Sequence, residues 1–384
     1  MAPGSQTVEY RALMTDRPPI IVVGYSARAL ASSAAHAGFA PLSIDVFGDD
    51  DMREASFASV KLEGGLSDGL APDGILGAVE MLVNAHGPIG LVYGAGFEHQ
   101  PETIATIARK TRVFGNDAEI LKRAKDPFAL ALLCEANGVR HPPIASDPPD
   151  RPELWLTKRR GGAGGAHIAS ANPPRARPDF YFQRRVDGRG FSALFLASEK
   201  KAEIVGLSMQ WAAPTPSSPF RYGGAAGPVA VDPPQRQEIA RAVSAMTAEL
   251  NLVGLNSADF LVSANAVWLI EINPRPGATL DVFESNEAPL FARHLAACEG
   301  RLTPVSPSLG FKAAEIVYAP DDVVVRRRGD WPDWAVDRSP AGTRVPAGDP
   351  LCTTLGSGAT VDLARACASE RARTIVALVQ EADH

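Results

Sequence analysis

Residues 256–284 read NSADFLVSANAVWLIEINPRPGATLDVFE and contain two apolar runs separated by a short polar turn. The first run follows Asp259, and the second leads into Glu271 and Asn273. Two such runs around a polar turn predict a β-hairpin, in which Asp259 can lie across from Glu271. Period-two alternation places Glu271 and Asn273 on one face of the second strand. The pattern therefore predicts that two carboxylates and one amide oxygen converge.

This convergence favours a metal–phosphate site. Carboxylates held together are unfavourable unless a cation neutralises them, and oxygen ligands of this kind suit Mg²⁺ beside a nucleotide phosphate. Arg275 adds a planar cation at the same edge of the hairpin. The structural alternative is that these acids are solvated charges or turn residues, but the complete set at this spacing is more specific than any single member. We predict Asp259, Glu271 and Asn273 as metal ligands.

These residues resemble the metal-binding end of the ATP-grasp superfamily, which includes biotin carboxylase and D-alanine–D-alanine ligase. The resemblance implies that Asp259, Glu271 and Asn273 hold the Mg²⁺ of ATP, with Mn²⁺ as an accepted substitute. It also implies a catalytic role for Arg275 beside a reacting acyl phosphate. The first acid is Glu in biotin carboxylase, and the shorter Asp259 still supplies a carboxylate.

A glycine-rich loop at 161–165 follows an apolar strand that ends in Lys158, and this loop is predicted to be the tip of a hairpin. Glycines leave backbone N–H groups free to approach phosphate oxygens, although a plain surface loop is the alternative. By resemblance, Lys158 contacts the ATP phosphates and takes part in catalysis, Lys125 is a second phosphate lysine, and 183–186 is the adenine hinge. The nucleotide-binding residues that this implies are Lys125, Lys158, Gly161, Gly162, Gly164, Gly165, Gln183 and Val186. The hinge carries Gln183 where an acid is frequent, so Glu199, Glu203 and other acids are alternatives for the ribose contact.

The N-terminal part alternates short apolar strands with helical segments, which predicts a doubly wound sheet. By resemblance, the turns at 24–28 and 94–98 would help to form the substrate pocket. The Gly24 turn and Asp45 would also suit a dinucleotide site, although the turn lacks the GxGxxG pattern. Farther along, residues 117–137 are predicted as one helical stretch that Asp117 caps.

We therefore predict an α/β chain with α+β ATP-grasp architecture. The predicted parts are a Rossmann-like domain at 1–115, an ATP-grasp domain at 116–300 and a small β-rich C-terminal subdomain at 301–384 that ends in a helix. Within the ATP-grasp domain, residues 127–186 approximate the lid subdomain, which carries the glycine-rich loop.

Composition restricts the partners of the chain. The 384 residues carry a formal net charge of −6, which argues against a nucleic-acid partner. No apolar run has membrane-spanning length, and the first residues lack the apolar core of a signal peptide. The four cysteines show no CxxC spacing, which is typical of reduced thiols in a cytoplasmic protein.

The predicted function is that of an ATP-dependent carboxylate–amine ligase, which forms an acyl phosphate and then an amide from small-molecule acid and amine substrates. Alternatives are a carboxylase-type subunit that phosphorylates bicarbonate, a non-catalytic nucleotide-binding protein and an oxidoreductase. The segments 24–28, 45–51 and 312–320 resemble a group of biotin-carboxylase-related ATP-grasp proteins. Some members of the broader superfamily serve methanopterin or methanofuran cofactor biosynthesis as tyramine–glutamate ligases. The sequence does not decide the oligomeric state, for which a homodimer is the assembly considered.

Overall fold

A computed structural model of the chain describes residues 8–10, 16–64, 69–172, 177–304, 310–326 and 331–381. The predicted domains at 1–115 and 301–384 therefore include residues outside this part of the chain. Within the described ranges, no helix has both the length and the hydrophobicity that a bilayer crossing requires.

The first part of the chain forms a five-stranded sheet with helices on both faces. Its elements are β1 Val8–Tyr10, β2 Pro19–Val23, α1 Arg28–His36, β3 Ala40–Asp45, α2 Asp50–Ala55, β4 Ala58–Lys61, α3 Pro72–His86, β5 Leu91–Tyr93 and α4 Pro101–Ala108. The strand order is β1–β4–β3–β2–β5. Strands β2 to β5 run parallel to their neighbours, whereas β1 pairs antiparallel with β4.

Strand β2 shows why this sheet is covered on both faces. Ile20 and Val22 pack into the core that contains α1, while Ile21 and Val23 pack into the core that contains α3 and α4. All four side chains are fully buried, as expected for a strand between two helical layers. The turns after β2 and β5 consequently lie at the same carboxyl edge of the sheet, where α/β proteins bind ligands.

The helical stretch predicted at 117–137 is instead two helices, α5 Ala118–Lys125 and α6 Pro127–Ala136. Asp126 interrupts it, because a residue before proline is driven out of the helical region, and its ψ is 112°. Its carboxylate caps α6 by accepting the amide of Phe128 at 2.9 Å. The break ends α5 at Lys125, and the predicted cap of α5 at Asp117 is present.

The lid region forms a small antiparallel sheet in the order β6–β9–β7–β8. Its strands are β6 Ile144–Ala145, β7 Trp155–Arg159, β8 Ala169–Ser170 and β9 Phe180–Arg184. The glycine-rich loop connects β7 to β8, which pair antiparallel, so the loop is the tip of a hairpin as the sequence predicts.

The rest of the chain builds an eight-stranded antiparallel sheet in the order β14–β13–β10–β11–β12–β15–β19–β17. The elements of this region are β10 Arg189–Ser198, β11 Lys201–Ala212, β12 Tyr222–Gly227, α7 Pro233–Leu250, β13 Gly254–Ser263, β14 Ala266–Asn273, α8 Leu280–Phe283, α9 Leu290–Cys298, β15 Phe311–Tyr318, β16 Val323–Val324, β17 Ala335–Val336, β18 Arg344–Val345, β19 Pro350–Gly358 and α10 Val361–Glu381. Strands β16 and β18 form a separate two-stranded pair.

The two faces of the large sheet have different neighbours. Phe191 and Phe195 of β10 face the core that includes α7 and α10. Leu194 and Leu196 of the same strand face a core shared with α1, α8 and α9. Successive side chains of β10 therefore point to opposite faces of the large sheet. The face with Leu194 and Leu196 packs against the N-terminal sheet through α1 and α9.

Strands from the predicted C-terminal subdomain belong to this same sheet. Strand β15 pairs with both β12 and β19, and β17 pairs with β19. The domain boundary at 301 stays a prediction, while hydrogen bonding is continuous across it.

Arg28 lies at the junction of the N-terminal domain, α8 and the C-terminal region. Its guanidinium donates to Asp281 at 2.5 and 2.7 Å and to Asp337 at 3.0 Å. Asp51 lies 3.8 Å from the same guanidinium. These bidentate contacts are the strong form of an ion pair and fix the three regions together.

Asp49 is the least satisfied acid of this junction, and we predict that Asp49→Asn stabilises the protein. Its Oδ2 atom is buried without a hydrogen-bond partner in the described structure. Burial and the nearby Asp337, Asp45 and Asp51 raise its pKa well above the usual value. The contribution of Asp49 to folding stability therefore falls as pH rises above about 3.9, the pKa of an unfolded Asp.

Asn does not ionise, so the Asp49→Asn variant does not lose this stability. The difference in unfolding free energy in favour of the variant should therefore grow with pH. We expect the difference in unfolding free energy between variant and wild type to be larger at pH 8 than at pH 4.5 by about 1 kcal/mol or more, the equivalent of one pKa unit. Urea unfolding at both pH values measures it, with the exposed Asp73→Asn as control. An advantage that does not change with pH would contradict the prediction.

Candidate functional site

The predicted hairpin is formed by β13 and β14, and Asp259 lies directly opposite Glu271 in its register. Ser257 lies opposite Asn273, and the register shifts after Asp259 so that Phe260 pairs with Leu269. Asn273 donates its Nδ2 to Asp259 Oδ2 at 3.0 Å. The structure thus brings together the three oxygen-bearing residues that the sequence predicts as metal ligands.

Lys125 lies among these oxygens because α5 ends at this residue. Its ammonium forms an ion pair with Glu271 Oε1 and donates to Asn273 Oδ1 at 3.0 Å. Only 4% of the Lys125 side chain is exposed. The ammonium therefore offsets much of the negative charge of the hairpin.

The two carboxylates differ in how readily they ionise. Burial and the Glu271 charge raise the pKa of Asp259 to about 6. Burial also acts to raise the pKa of Glu271, but Lys125 outweighs it and the net pKa is lowered. Asp259 is the acid whose ionisation a further positive charge would favour.

The donor set fits a hard divalent cation on chemical grounds. It supplies two carboxylates and an amide oxygen, which are the ligand types that Mg²⁺ accepts alongside water and phosphate oxygens. The described residues contain no cluster of three His, Cys, Asp or Glu side chains that could hold a metal by themselves. A cation here would thus depend on additional oxygens, such as those of a phosphate.

A cleft lies beside the hairpin. Its lining includes Lys125, Lys158, Gly161, Gly162, Tyr181 and Glu271. Lys158 is 6% exposed, and burial lowers its pKa while Glu271 and Asp259 counteract this shift. Two lysines, a glycine-rich loop and a carboxylate thus face one space, which suits a polyphosphate with its cation.

The predicted hinge residues Gln183 and Val186 are not among the residues that line the cleft. Gln183 is 3% exposed, and its Nε2 finds no hydrogen-bond partner among the described residues. A buried amide without a partner is unfavourable, so this group fits a site that a ligand completes. Val186 is half-buried just after β9.

Histidines were not predicted as site residues, yet His141 and His167 both line the cleft. Burial lowers the pKa of both imidazoles, that of His141 to about 4. They are therefore neutral at physiological pH. A lone histidine carries no local signal in the sequence that separates this placement from ordinary packing.

The glycine-rich loop approaches two other parts of the chain closely. A Cβ atom on Gly161 would lie 2.7 Å from the carbonyl oxygen of Glu98, and one on Gly165 would lie 2.0 Å from that of Phe220. Both glycines also have positive φ, +64° and +73°. The carbonyl of Gly164 accepts the amide of Tyr222 at 2.9 Å. Glycine is therefore required where the loop bridges the lid, β12 and the N-terminal domain.

We predict that Mg²⁺ and ATP together slow tryptic cleavage after Arg160, at the start of this loop. Glycines lose much conformational entropy when fixed, so phosphate contacts should shift the loop towards the ordered position. Gly165→Ala should weaken the protection, because its methyl group clashes with the Phe220 carbonyl.

Gly164→Ala is the matched control. Gly164 has a similar φ of +69°, but an added Cβ would meet nothing within 4 Å. Cleavage rates followed by mass spectrometry compare the two variants. Equal loss of protection in both, or a wild-type rate that the nucleotide does not change, would contradict a phosphate-covering loop.

Arg275 contacts the turn after β5 of the N-terminal sheet. Its Nε donates to Glu98 Oε1 at 2.9 Å, and its Nη1 donates to the Pro276 carbonyl at 3.3 Å. Glu98 Oε2 accepts the amide of Gly96 at 2.7 Å. Burial opposes ionisation of Glu98, but Arg275 and Lys125 outweigh it and lower its pKa to about 2. Arg275 thus links the end of β14 to the turn after β5.

Asn116 fixes the backbone of this linking segment. Its Nδ2 donates to Asn256 Oδ1 at 2.8 Å and to the Pro274 carbonyl at 2.9 Å. The Tyr93 hydroxyl donates to the Asn116 carbonyl at 2.7 Å. The residues around Arg275 are therefore held by buried hydrogen bonds from Asn116, which Tyr93 of the N-terminal sheet fixes in turn.

Comparison with known proteins agrees with this geometry. Residues 124–279, which include the lid and the hairpin, match the family model described as ATP-grasp domain. No curated protein sequence matches the chain.

Solved structures share the fold across most of the chain. A biotin carboxylase–β,γ-ATP complex from Campylobacter jejuni is 13% identical, with a TM-score of 0.69 over 91% of this chain and 90% of the other. An L-amino acid ligase from Bacillus licheniformis is 13% identical, with a TM-score of 0.67 over 93% and 97%. N5-carboxyaminoimidazole ribonucleotide synthetase from Thermotoga maritima is 12% identical, with a TM-score of 0.64 over 93% and 98%. These likenesses confirm the predicted fold class.

Proposed function

We propose that the chain, whose residues 124–279 match the ATP-grasp domain model, is an ATP-dependent ligase that activates a carboxylate as an acyl phosphate and joins it to an amine. The observation that carries this proposal is the cleft that Lys125, Lys158, the start of the glycine-rich loop and Glu271 line together. Asp259 lies opposite Glu271 in the hairpin. This arrangement suits the triphosphate of ATP. Arg275 lies just after the end of β14, the strand that carries Glu271. The fold shared with an L-amino acid ligase supports the choice of an amine as acceptor.

In the first step, a carboxylate oxygen of the substrate attacks the γ-phosphorus of ATP. The bond from that phosphorus to the β,γ-bridging oxygen breaks, and ADP leaves. Lys158 and the loop amides would stabilise the charge on the transferring phosphoryl group. Mg²⁺ held by Asp259, Glu271 and Asn273 would neutralise phosphate oxygens when bound.

In the second step, the amine nitrogen attacks the acyl carbon, the carbon–oxygen bond to phosphate breaks, and an amide forms. The amine loses a proton, which the departing phosphate can take. Arg275 would stabilise charge on the acyl phosphate and on the leaving phosphate. The protein contributes position and charge rather than a covalent nucleophile.

A second candidate is a carboxylase-type activity in which bicarbonate takes the place of the carboxylic acid. It is favoured by the fold likeness to a biotin carboxylase. Both reactions would use the same residues to bind and activate ATP. The two candidates are therefore distinguished by which acid, a carboxylic acid or bicarbonate, stimulates ADP formation.

The experiment is a screen for ADP formation with Mg²⁺ and ATP. One arm adds amino acids and other carboxylic acids with and without amines, and the other adds bicarbonate. ADP that depends on a carboxylic acid, with an amide product in the mass spectrum, supports the ligase. Stimulation by bicarbonate alone supports the second candidate, and nucleotide binding without ADP formation supports a non-catalytic protein.

Finer expectations belong to this proposal as well. They are substitution of Mn²⁺ for Mg²⁺, action in the cytoplasm, a role in cofactor biosynthesis, and assembly as a homodimer. Activity with each metal and the mass in solution test the first and the last of these.

A further inference from the structure

Glu98 reaches the site from the N-terminal sheet, whereas Arg275, with which it forms an ion pair, follows β14 of the large sheet. It lies in the turn after β5 of the N-terminal sheet, and only 2% of its side chain is exposed. Its two carboxylate oxygens have separate fixed donors, the Arg275 Nε at 2.9 Å and the Gly96 amide at 2.7 Å. The Gly96 amide therefore orients the Glu98 carboxylate independently of the guanidinium.

The contact also defines the orientation of Arg275. The guanidinium is planar, so bonds from Nε to Glu98 and from Nη1 to the Pro276 carbonyl fix its plane. Arg275 is 8% exposed, and a buried ion pair that loses one member leaves an uncompensated charge. Without the Glu98 carboxylate, the guanidinium would be free to turn towards other acids of the site.

Glu98 contacts the lid through its backbone as well. The carbonyl oxygen that a Cβ on Gly161 would meet at 2.7 Å belongs to Glu98. Glu98 thus closely approaches the glycine-rich loop with its main chain and contacts Arg275 with its side chain. A displacement of Glu98 would therefore disturb both the glycine-rich loop and Arg275.

We propose that Glu98 is a positioning residue, which acts through Arg275 by holding its guanidinium in the orientation that stabilises the acyl phosphate. The inference rests on the proposed ligase function for its chemical consequence. The ion pair itself can be measured independently of activity.

The test compares Glu98→Gln, Arg275→Lys and the double variant. Glu98→Gln keeps the shape of the side chain but removes the charge that orders the guanidinium. We expect kcat to fall by about 10- to 100-fold, the scale of a misplaced catalytic group, with the KM for ATP nearly unchanged. If Glu98 acts through Arg275, the double variant should be no slower than Arg275→Lys alone, because the two effects are not additive.

Glu315→Gln is the control for the chemical change from carboxylate to amide. Glu315 lies on β15 and accepts a hydrogen bond from Ser369 of α10 at 2.5 Å. We expect it to leave kcat unchanged. A kcat for Glu98→Gln equal to that of the wild type, or a double variant slowed by the product of the two single effects, overturns the proposal.

A second readout separates this inference from the proposed function. In ¹⁵N-edited spectra, the Nε–H signal of Arg275 is identified by its loss in Arg275→Lys. We expect this signal to be protected from exchange in the wild type and to shift and lose protection in Glu98→Gln. An unchanged signal overturns the positioning role. If the wild type forms no ADP with any acid, the ligase proposal fails, and the spectra alone decide whether Glu98 holds Arg275.

Discussion

Glu271→Gln is expected to abolish Mg²⁺-dependent ATP turnover while leaving the fold intact. The substitution removes one of the two carboxylate charges of the hairpin, and hard divalent cations bind carboxylates better than amides. The shape of the side chain persists, and its amide oxygen can still accept from Lys125. Lys125 also keeps its contact to Asn273 Oδ1 at 3.0 Å, so the end of α5 should stay in place.

Turnover is measured as ADP formation over a range of Mg²⁺ concentrations, and thermal unfolding reports on the fold. Glu315→Gln serves again as the control for the loss of a carboxylate elsewhere. Turnover like that of the wild type would show that the assignment of Glu271 as a metal ligand is wrong. A large drop in melting temperature would instead assign the residue a structural role through Lys125.

Arg275→Lys is expected to reduce turnover by about two orders of magnitude, the scale for loss of one preorganised donor. ATP affinity should be nearly unchanged, because an interaction that forms as the acyl phosphate develops lowers the barrier without tightening the ground state. The structure supplies a further reason for the loss of turnover. The Nε contact to Glu98 at 2.9 Å occupies one edge of the guanidinium. A lysine has a single ammonium and no planar fork with which to serve both partners.

Turnover and a nucleotide titration are measured on the same preparations. Arg301→Lys, at an exposed ion pair with Glu299, is the control for the exchange of arginine for lysine. If Arg275→Lys instead weakens ATP binding and retains normal turnover, Arg275 contacts the nucleotide, and its proposed role at the acyl phosphate must be abandoned.

Features that depend on neighbouring residues could be predicted from the sequence. The proximity of Asp259 and Glu271 follows from a short hairpin, whose register is set by its own turn. That register alone would place Asp259 opposite Ile270, and the shift after Asp259 brings Glu271 opposite it. The cap at Asp117 and the hairpin tip at 161–165 are equally local. The division between α5 and α6 was also local, and the prediction of one helix was wrong because it gave too little weight to the sequence Asp126–Pro127.

Contacts between distant residues carried no comparable signal. Arg275 and Glu98 are separated by 177 positions, so no spacing in the sequence connects them. The same holds for Lys125 and Glu271, whose ion pair spans 146 positions. The close approach of Gly165 to Phe220 depends on how the lid packs against another region, which hydrophobic periodicity does not encode.

The pairing of β12 with β15 has a practical consequence for shortened versions of the protein. A chain ended at residue 300 would lose β15, and β12 would become an exposed edge strand. Its buried residues Ala225 and Ala226, which pair with Ala314 and Ala313, would face solvent along a row of unpaired backbone groups. Such edges template association with other chains. We therefore expect a 1–300 fragment to aggregate on expression, so that fragments for crystallisation should retain β15 and β19.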